Sequence, residues 1–440
     1  MAATTTLDLD WNPSTPRGEA PLPGVVVVLR AGQPTCAPLP LDAHGQLELG
    51  RGHDLGQKGP LEDRWMSRQH VLLRLRGDVW EVADLKSRNG TALDGQLLDR
   101  PRSGPQPLVV RAGTSLFLPR ADIRPFLHLG IHDGTTVTGP ALATVFHTIA
   151  AASRFGTSLH IEGESGSGKE LAARAFHDLG PRSHGPFIAV NCAAIPEGVA
   201  ERLLFGARKG AFSGADAHAE GYVQAAHNGT LFLDEVAELD LAVQAKLLRV
   251  LENREVLALG ASRPQPVDLH ICSATHKDLR AEVVAGRLRE DLYYRLSRPE
   301  VRIPPLRARL EEIPLLVFRA LADPALAITA HASLIEACML RHWPGNVREL
   351  VAEVRTAARA ALTEGSPQVE GRHLLEDAGQ PLSAPEAPTR SSQGSLSPAE
   401  IEAVLVAEGG NVSQAARVLG LHRTQLRRLL TRHGIAARGD

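Results

Sequence analysis

Gly163-Glu164-Ser165-Gly166-Ser167-Gly168-Lys169-Glu170 sits between the short apolar run Ser158-Leu159-His160-Ile161 and the helix-forming segment Leu171-Ala172-Ala173-Arg174-Ala175-Phe176. Strand, glycine-rich turn and helix start, in that order, are the layout of a phosphate cradle. Glycine lets the backbone turn several N–H groups toward one anion, and the helix N-terminus adds its partial positive charge. Lys169 supplies a mobile cation that reaches the terminal phosphates of a nucleotide. Glu170 departs from the strict motif, which places serine or threonine after the lysine. Taken alone, the glycines could also mark an ordinary strand-to-helix turn, so the reading depends on the chain downstream.

Downstream, Pro186-Phe187-Ile188-Ala189-Val190-Asn191 is an apolar run with a polar end, and Gly229-Thr230-Leu231-Phe232-Leu233-Asp234-Glu235 ends in two carboxylates. A parallel strand covered on both faces reads this way. Beside a phosphate loop the two acids have separate tasks: Asp234 to hold Mg²⁺ through water, Glu235 to polarise the attacking water. A Leu-Phe-Leu-Asp-Glu run alone is a routine core strand; joined to Lys169 it points to nucleotide hydrolysis. Residues 141–152 and 244–251 predict amphipathic helices, and 267–275 a further strand with a polar end. Strands alternating with helices predict an α/β doubly wound domain with its ligand at the carboxyl edge of the sheet.

These motifs, with Gln244-Ala245-Lys246-Leu247-Leu248-Arg249-Val250-Leu251, Arg289-Glu290-Asp291-Leu292-Tyr293-Tyr294-Arg295-Leu296 and Trp343-Pro344-Gly345-Asn346-Val347-Arg348-Glu349-Leu350, span 137–366. This part resembles the AAA+ ATPase domain of bacterial sigma-54-dependent transcriptional activators, a family that carries glutamate after the phosphate-loop lysine. The resemblance implies a P-loop ATPase using ATP and Mg²⁺, ending in a small helical subdomain and forming a ring, usually a hexamer. It implies nucleotide binding by residues 163–170 and nucleotide sensing by Thr275 and His276. Asn191 would hold Glu235 inactive in one nucleotide state. Arg289 and Arg295 would be arginine fingers reaching a neighbour's ATP, and Arg348 a sensor of the γ-phosphate; guanidinium suits these roles because it spreads charge over phosphate oxygens. Gly210-Ala211-Phe212-Ser213-Gly214-Ala215 stands where the family carries Gly-Ala-Phe-Thr-Gly-Ala, the loop that touches the sigma factor. Phe212 offers contact area, and the glycines permit the loop to change shape. Ser213 in place of threonine, Arg202-Leu203 in place of Ser-Glu, His276 in place of asparagine and Asn228 in place of glycine are departures from the family pattern.

The chain before this domain predicts a lead-in over 1–23, a β-rich module over 24–129 and a connector over 130–136. Val25–Leu29, Gln46–Leu49, His70–Arg76, Val79–Ala83, Leu108–Val110 and Ser115–Leu118 read as short strands, with tight-turn pairs at Gly77-Asp78, Asn89-Gly90 and Asp94-Gly95. Such a run argues for a β-sandwich. Gly50-Arg51, Ser67-Arg68-Gln69-His70 and Ser87-Arg88-Asn89-Gly90-Thr91 fall at its turns. Together they resemble the forkhead-associated (FHA) domain. The resemblance implies that Arg51 and Ser67 bind a phosphothreonine and Asn89 the peptide backbone, with Arg68 and Arg88 adding charge and His70 bracing the loop. Guanidinium plus hydroxyl suits a phosphate dianion.

Residues 379–397 are rich in Pro, Ser, Ala and Gly and predict a tether. Over 398–436, Ser397-Pro398-Ala399-Glu400 supplies helix-start chemistry, Gly410-Asn411 opens a second helix and Gly420 allows a sharp turn into a third. This is a helix-turn-helix arrangement. It resembles the Fis-type DNA reader that ends the same activator family, which implies DNA contact by His422, Arg423, Gln425, Arg427 and Arg428. Arg423 and Gln425 lie near the helix start, where base edges are read.

The net charge of −2 over 440 residues excludes a globally basic nucleic-acid coat. Cys36, Cys192, Cys272 and Cys338 are scattered, which suits reduced thiols in a cytoplasmic protein. The N-terminus has no secretion signal, and no apolar run reaches the roughly 20 residues that span a bilayer. The expected protein is a multidomain, ATP-driven activator that binds upstream double-stranded DNA, remodels the sigma-54 RNA polymerase holoenzyme and takes a phosphothreonine protein as input. An AAA+ unfoldase and a DNA-binding repressor with vestigial hydrolysis are the alternatives; the Phe212 loop and the intact Lys169, Asp234 and Glu235 count against them.

Overall fold

The computed structural model describes residues 20–104, 107–134, 136–196, 198–211, 217–323 and 327–381, together with 401, 404, 405, 412, 415, 426 and 430. They fall into two compact units that divide after Pro381.

The first unit opens with a β-sandwich. Its strands are β1 (Gly24–Arg30), β2 (Gln33–Pro40), β3 (Gln46–Leu49), β4 (Val71–Arg76), β5 (Val79–Asp84), β6 (Thr91–Leu93), β7 (Gln96–Leu97), β8 (Arg102–Gly104), β9 (Val110–Ala112) and β10 (Ser115–Arg120). One sheet runs β2-β1-β10-β9-β6-β7 and the other β3-β4-β5-β8, with antiparallel neighbours. The two-residue turns behave as their residues demand. Asp94 and Gly95 both have positive φ (49° and 78°), as the hairpin between β6 and β7 requires, whereas between β4 and β5 only Gly77 does (61°). The sequence does not announce β2, which contains Pro34, Pro38 and Pro40; it lies at the sheet edge, where missing N–H donors cost little.

The motor domain follows. Strands β11 (Ser158–Glu162), β12 (Phe187–Asn191), β13 (Thr230–Asp234), β14 (His270–Thr275) and β15 (Glu300–Arg302) form a parallel sheet in the order β12-β13-β14-β11-β15. Helices α1 (Pro140–Phe155), α2 (Lys169–Asp178), α3 (Leu241–Asn253) and α4 (Glu290–Leu296) pack around it. Leu159, Ile161, Phe176, Phe232, Cys272 and Ala274 form the core on one side, and Leu231, Leu233, Leu247 and Ile271 that on the other. Register fixes the working edge: Asn191 lies opposite Asp234, Asp234 opposite Ala274, and Glu162 opposite Thr275. The polar ends predicted from the sequence therefore meet at one carboxyl edge.

A small helical subdomain closes the unit with α5 (Ile313–Leu321), α6 (Ala332–Met339) and α7 (Asn346–Thr363). Packing continues past residue 366: Gln368–Val369 pairs with Thr329–Ala330, and buried Trp343 donates its backbone N–H to Gly379 O at 2.9 Å. The first residues of the expected tether, 379–381, thus belong to the folded body. The connector expected at 130–136 is also pinned, since His132–Asp133 pairs with Val137–Thr138 and Asp133 takes an ion pair from Arg319 on α5.

The sequence did not foretell how the sandwich sits. Val25 and Val27 of β1 enter the sandwich core, while Val26 and Val28 enter a second core. There Leu116, Leu118, Ile123 and Phe126 join Leu310, Ile313, Leu316, Val317, Leu334 and Ile335 of the helical subdomain. Two ion pairs frame the contact, Arg111 Nε to Glu336 Oε2 at 2.6 Å and Arg120 Nη2 to Glu311 Oε2 at 2.8 Å. Each fully buried Val or Leu stabilises by about 1.5–3 kcal/mol. Several such side chains on each side make this a packed interface rather than a loose tether.

In the second unit Ile401, Leu405, Val412, Ala415, Leu426 and Leu430 form one buried helical cluster, the apolar set that three packed helices need. His422, Arg423, Gln425, Arg427 and Arg428 lie outside the described residues, as do Phe212, Ser213, Gly214 and Ala215. Among the described residues no helix is long and apolar enough to cross a membrane.

Candidate functional site

The phosphate loop runs from β11 into α2, with Gly166 and Gly168 at φ of 71° and 112°. Gly166 also meets a steric demand, because a Cβ there would lie 2.2 Å from Gly345 O and 3.0 Å from Arg348 Cβ. Lys169, the first residue of α2, is only 7 % exposed. Its Nζ donates to Gly163 O at 3.0 Å and to Glu235 Oε1 at 3.2 Å. Ser167 Oγ is buried in the same loop without a hydrogen-bond partner. A cation parked on a carbonyl and a carboxylate, beside an orphan hydroxyl and a glycine-lined turn, fits a triphosphate with its metal ion.

Asp234 ends β13 and Glu235 follows it in the left-handed region, at φ 54° and ψ 49°. A non-glycine residue held there is strained, and such strain collects at functional sites. Glu235 Oε2 lies 2.7 Å from His276 Nδ1 and accepts from Thr275 Oγ1 at 3.2 Å and His276 N at 3.3 Å. Burial works to raise the Glu235 pKa, but the Lys169 charge and the His276 bonds outweigh it and hold the carboxylate below its usual range. Burial raises Asp234, against the pull of Lys169 and with the push of Glu235. The two neighbouring acids are driven apart, as separate roles require.

Asn191 ends β12 opposite Asp234, yet its Oδ1 accepts from Ala193 N at 3.0 Å. In this conformation Thr275 and His276 hold Glu235, in the place assigned to Asn191 from the sequence. The imidazole that replaces the family's asparagine reaches the carboxylate directly.

The lid side of the site is richer than its motif suggested. Arg348 Nη1 donates to Ser165 Oγ at 3.4 Å. Asn346 is fully buried at φ 51°. Its Nδ2 donates to Glu164 Oε2 at 3.1 Å and Ser165 O at 3.0 Å, and its Oδ1 accepts from Leu306 N at 2.8 Å. Arg307 clamps Glu164 in a bidentate pair at 2.8 and 2.6 Å, and this bond, more than any other cause, lowers the Glu164 pKa. Sequence reasoning quoted Asn346 inside a motif without giving it a task and passed over Arg307. The Gly345-Asn346 pair was the available signal, since asparagine adopts the left-handed turn required there.

Arg289 and Arg295 are exposed on and beside α4. Arg289 pairs with its own Asp291 at 2.7 Å, and Arg295 Nη2 donates to Leu251 O at 3.2 Å. Neither bonds to residues 163–170 of its own chain.

The described base of the Phe212 loop is tightly held. Ala207 exchanges backbone bonds with Ala219 at 2.9 Å in both directions, and Arg208 N donates to Leu259 O at 2.9 Å. Gly206 and Gly210 take φ of 78° and 82° at the two bends.

In the sandwich, a Cβ at Gly50 would lie 1.9 Å from Arg68 O, so only glycine fits where the two loops cross. Arg51 N donates to Ser67 O at 2.9 Å, and Ser67 Oγ accepts from Arg88 N at 3.1 Å. Buried His70 accepts from Ser67 N at Nδ1 and places Nε2 3.0 Å from Gly90 O, joining both loops. Asn89 Nδ2 donates to Trp65 O at 2.7 Å. Arg51, Arg68, Arg88 and Asn89 are exposed around this frame.

Family models match the chain in three places. They are the FHA domain at 47–116, the sigma-54 interaction domain at 136–302 and the bacterial regulatory protein, Fis family, at 399–433. The transcriptional regulatory protein GlrR of Escherichia coli is 41% identical over 290 residues, 64% of this chain and 63% of GlrR. The DNA-binding transcriptional regulator NtrC of Bradyrhizobium is 37% identical over 360 residues, 73% of this chain and 74% of NtrC. The crystal structure of NtrX from Brucella abortus in complex with ATP superposes with a TM-score of 0.51 at 32% identity, covering 69% of this chain and 70% of NtrX. The chain spans less than two thirds of GlrR's length. With an FHA domain, an AAA+ sigma-54 interaction domain and a Fis-type helix-turn-helix in that order, the chain belongs to the sigma-54-dependent transcriptional activators.

Proposed function

We propose that this protein is a cytoplasmic, ATP-driven transcription activator. Its C-terminal reader binds upstream double-stranded DNA through His422, Arg423, Gln425, Arg427 and Arg428. Its motor domains hydrolyse ATP in a ring, a hexamer on the family pattern. The loop carrying Phe212 presses that work onto the sigma-54 RNA polymerase holoenzyme so that the promoter opens. The observation that carries this reading is the meeting of Lys169, Asp234, Glu235, Thr275 and Arg348 around one glycine loop at the sheet edge. The ATP bound in the NtrX structure supports it.

The chain's own groups define the sequence of events. ATP phosphates offer Lys169 a stronger partner than Gly163 O and Glu235, so the ammonium moves and frees Glu235 Oε1. His276 and Thr275 keep Oε2 in place, and the freed oxygen orients a water and takes its proton. Mg²⁺, held by Asp234 through water and by the Ser167 hydroxyl side of the loop, would neutralise charge on the phosphate oxygens. Arg289 and Arg295 of the next subunit, with Arg348 from the lid, would steady the charge on the transferring group. Asn191 would turn Glu235 aside in another nucleotide state.

Open-complex formation at a sigma-54 promoter tests the reading. Wild type is expected to open the promoter with ATP, whereas Glu235→Gln and Phe212→Ala leave output at background. An unfoldase gives no promoter output with any of the three, and a repressor is indifferent to both changes; either result overturns the proposal.

The FHA domain supplies the input. Arg51, Ser67, Arg68 and Asn89 would receive a phosphothreonine peptide, coupling output to a Ser/Thr kinase. Arg51→Ala is expected to weaken phosphopeptide binding at least about tenfold, the loss of a charge-assisted contact. Calorimetry with phosphorylated and unphosphorylated peptides checks it, and equal binding of the two would defeat the assignment.

A further inference from the structure

Between the FHA sandwich and the phosphate loop lie two buried acids that no motif marked. Glu311 and Glu312 are adjacent, and the Cβ position at Gly139 is 3.3 Å from Oε1 of the first and 3.0 Å from Oε1 of the second. Two arginines balance them. Arg309, 1 % exposed, donates from Nη1 to Glu312 Oε2 at 2.7 Å, from Nε to Pro304 O at 3.0 Å and from Nη2 to Ser167 O at 3.3 Å. Glu312 Oε1 in turn accepts from Gly139 N at 2.8 Å, at the start of α1. The second arginine comes from the other domain: Arg120, at the end of β10, donates from Nη2 to Glu311 Oε2 at 2.8 Å.

The acceptor at Ser167 is what gives Arg309 a task. That carbonyl shares its peptide plane with the Gly168 N–H, one of the donors expected to face the phosphates. A cationic donor on the oxygen fixes the plane and polarises the amide, so the N–H on its far side becomes a stronger anion ligand. Arg309 acts through the loop backbone, by its bond to Ser167 O.

We propose that Arg309 is a positioning residue for the phosphate loop and that Arg120 of the FHA domain keeps it there, so that ATP affinity depends on how the FHA domain is seated. The proposal rests on reading residues 163–170 as the ATP site. Without Arg120, two adjacent buried carboxylates share one guanidinium, and Glu311 competes with Glu312 and Ser167 O for it. A buried charge that loses its partner is costly, whereas removing both partners is far less so.

A double-mutant cycle in the full-length chain, read by titration with a fluorescent ATP analogue and by ATP turnover, tests this. Arg120→Ala is expected to raise Kd and KM about five- to tenfold with little change in kcat, and Arg120→Ala/Glu311→Gln to return Kd to within about twofold of wild type. Arg309→Lys should lose at least as much affinity as Arg120→Ala, because a point charge cannot serve three acceptors at once. Wild-type affinity in Arg120→Ala, or no recovery in the double variant, overturns the proposal. Should Arg120→Ala not fold, wild-type affinity in Arg309→Lys does so. A wild-type chain that binds no ATP analogue would instead overturn the ATP site itself.

Discussion

Glu235→Gln is expected to cut ATP turnover by about 10²–10⁴-fold, the usual contribution of a positioned general base. Binding should survive. Glutamine keeps the size and can still accept from Thr275 Oγ1 and the His276 backbone, both now within 3.3 Å of Oε2. It removes the negative charge that competes with phosphate for Lys169, which lies 3.2 Å from Oε1. ATP affinity should therefore hold or rise while kcat collapses, and a Kd measured beside kcat separates the two. Turnover within about threefold of wild type would show that another group activates the water.

The second large effect concerns residues remote from their own chain's site. Arg289→Ala and Arg295→Ala are each expected to lower turnover by about 10³-fold, the lower end for an arginine finger. Neither side chain bonds to residues 163–170 of its own chain; Arg289 pairs with Asp291 and Arg295 donates to Leu251 O. A catalytic role for them would therefore require a neighbour. Mixing Arg295→Ala with Glu235→Gln, each nearly inactive alone, should restore activity. An interface that joins the intact site of the first to the intact finger of the second makes up about a quarter of random pairings. No recovery on mixing would place the fingers outside the reaction.

Much of this site was legible in the chain. Polar residues closing apolar runs marked the sheet edge, because a strand buried on both faces exposes only its end. Turn pairs such as Asp94-Gly95 and the loop contacts of Gly50 and His70 made the sandwich readable, since few residues satisfy those backbone angles. Three features were not legible. The proline-rich β2 hides as a loop because propensity says nothing about an edge position. Arg307, Arg309 and Asn346 act on atoms about 140 to 180 residues away, as in Asn346 to Glu164 and Arg309 to Ser167, and no local pattern encodes such a meeting. The seating of the sandwich on the lid left one trace. Val25-Val26-Val27-Val28-Leu29 fails to alternate, although an antiparallel strand with one wet face should. That unbroken run meant a second buried face; the sequence held no clue to what covers it.

His276 shows the same limit at the scale of one side chain. As a departure from the family pattern it was expected to bond phosphate or water in the asparagine's place; in the folded protein the imidazole reaches the Glu235 carboxylate at 2.7 Å. The substitution retains a partner for the Glu235 carboxylate.

ATP hydrolysis between adjoining subunits, by Glu235 of one and the arginines of the next, would tie turnover to assembly. ATPase rate per subunit, measured on the full-length protein from dilute monomer to crowded assembly, tests it most directly. The rate is expected to climb with concentration and to level off once assembly is complete. A rate that stays flat across the whole range, or no turnover even at the highest concentration with DNA present, would contradict it.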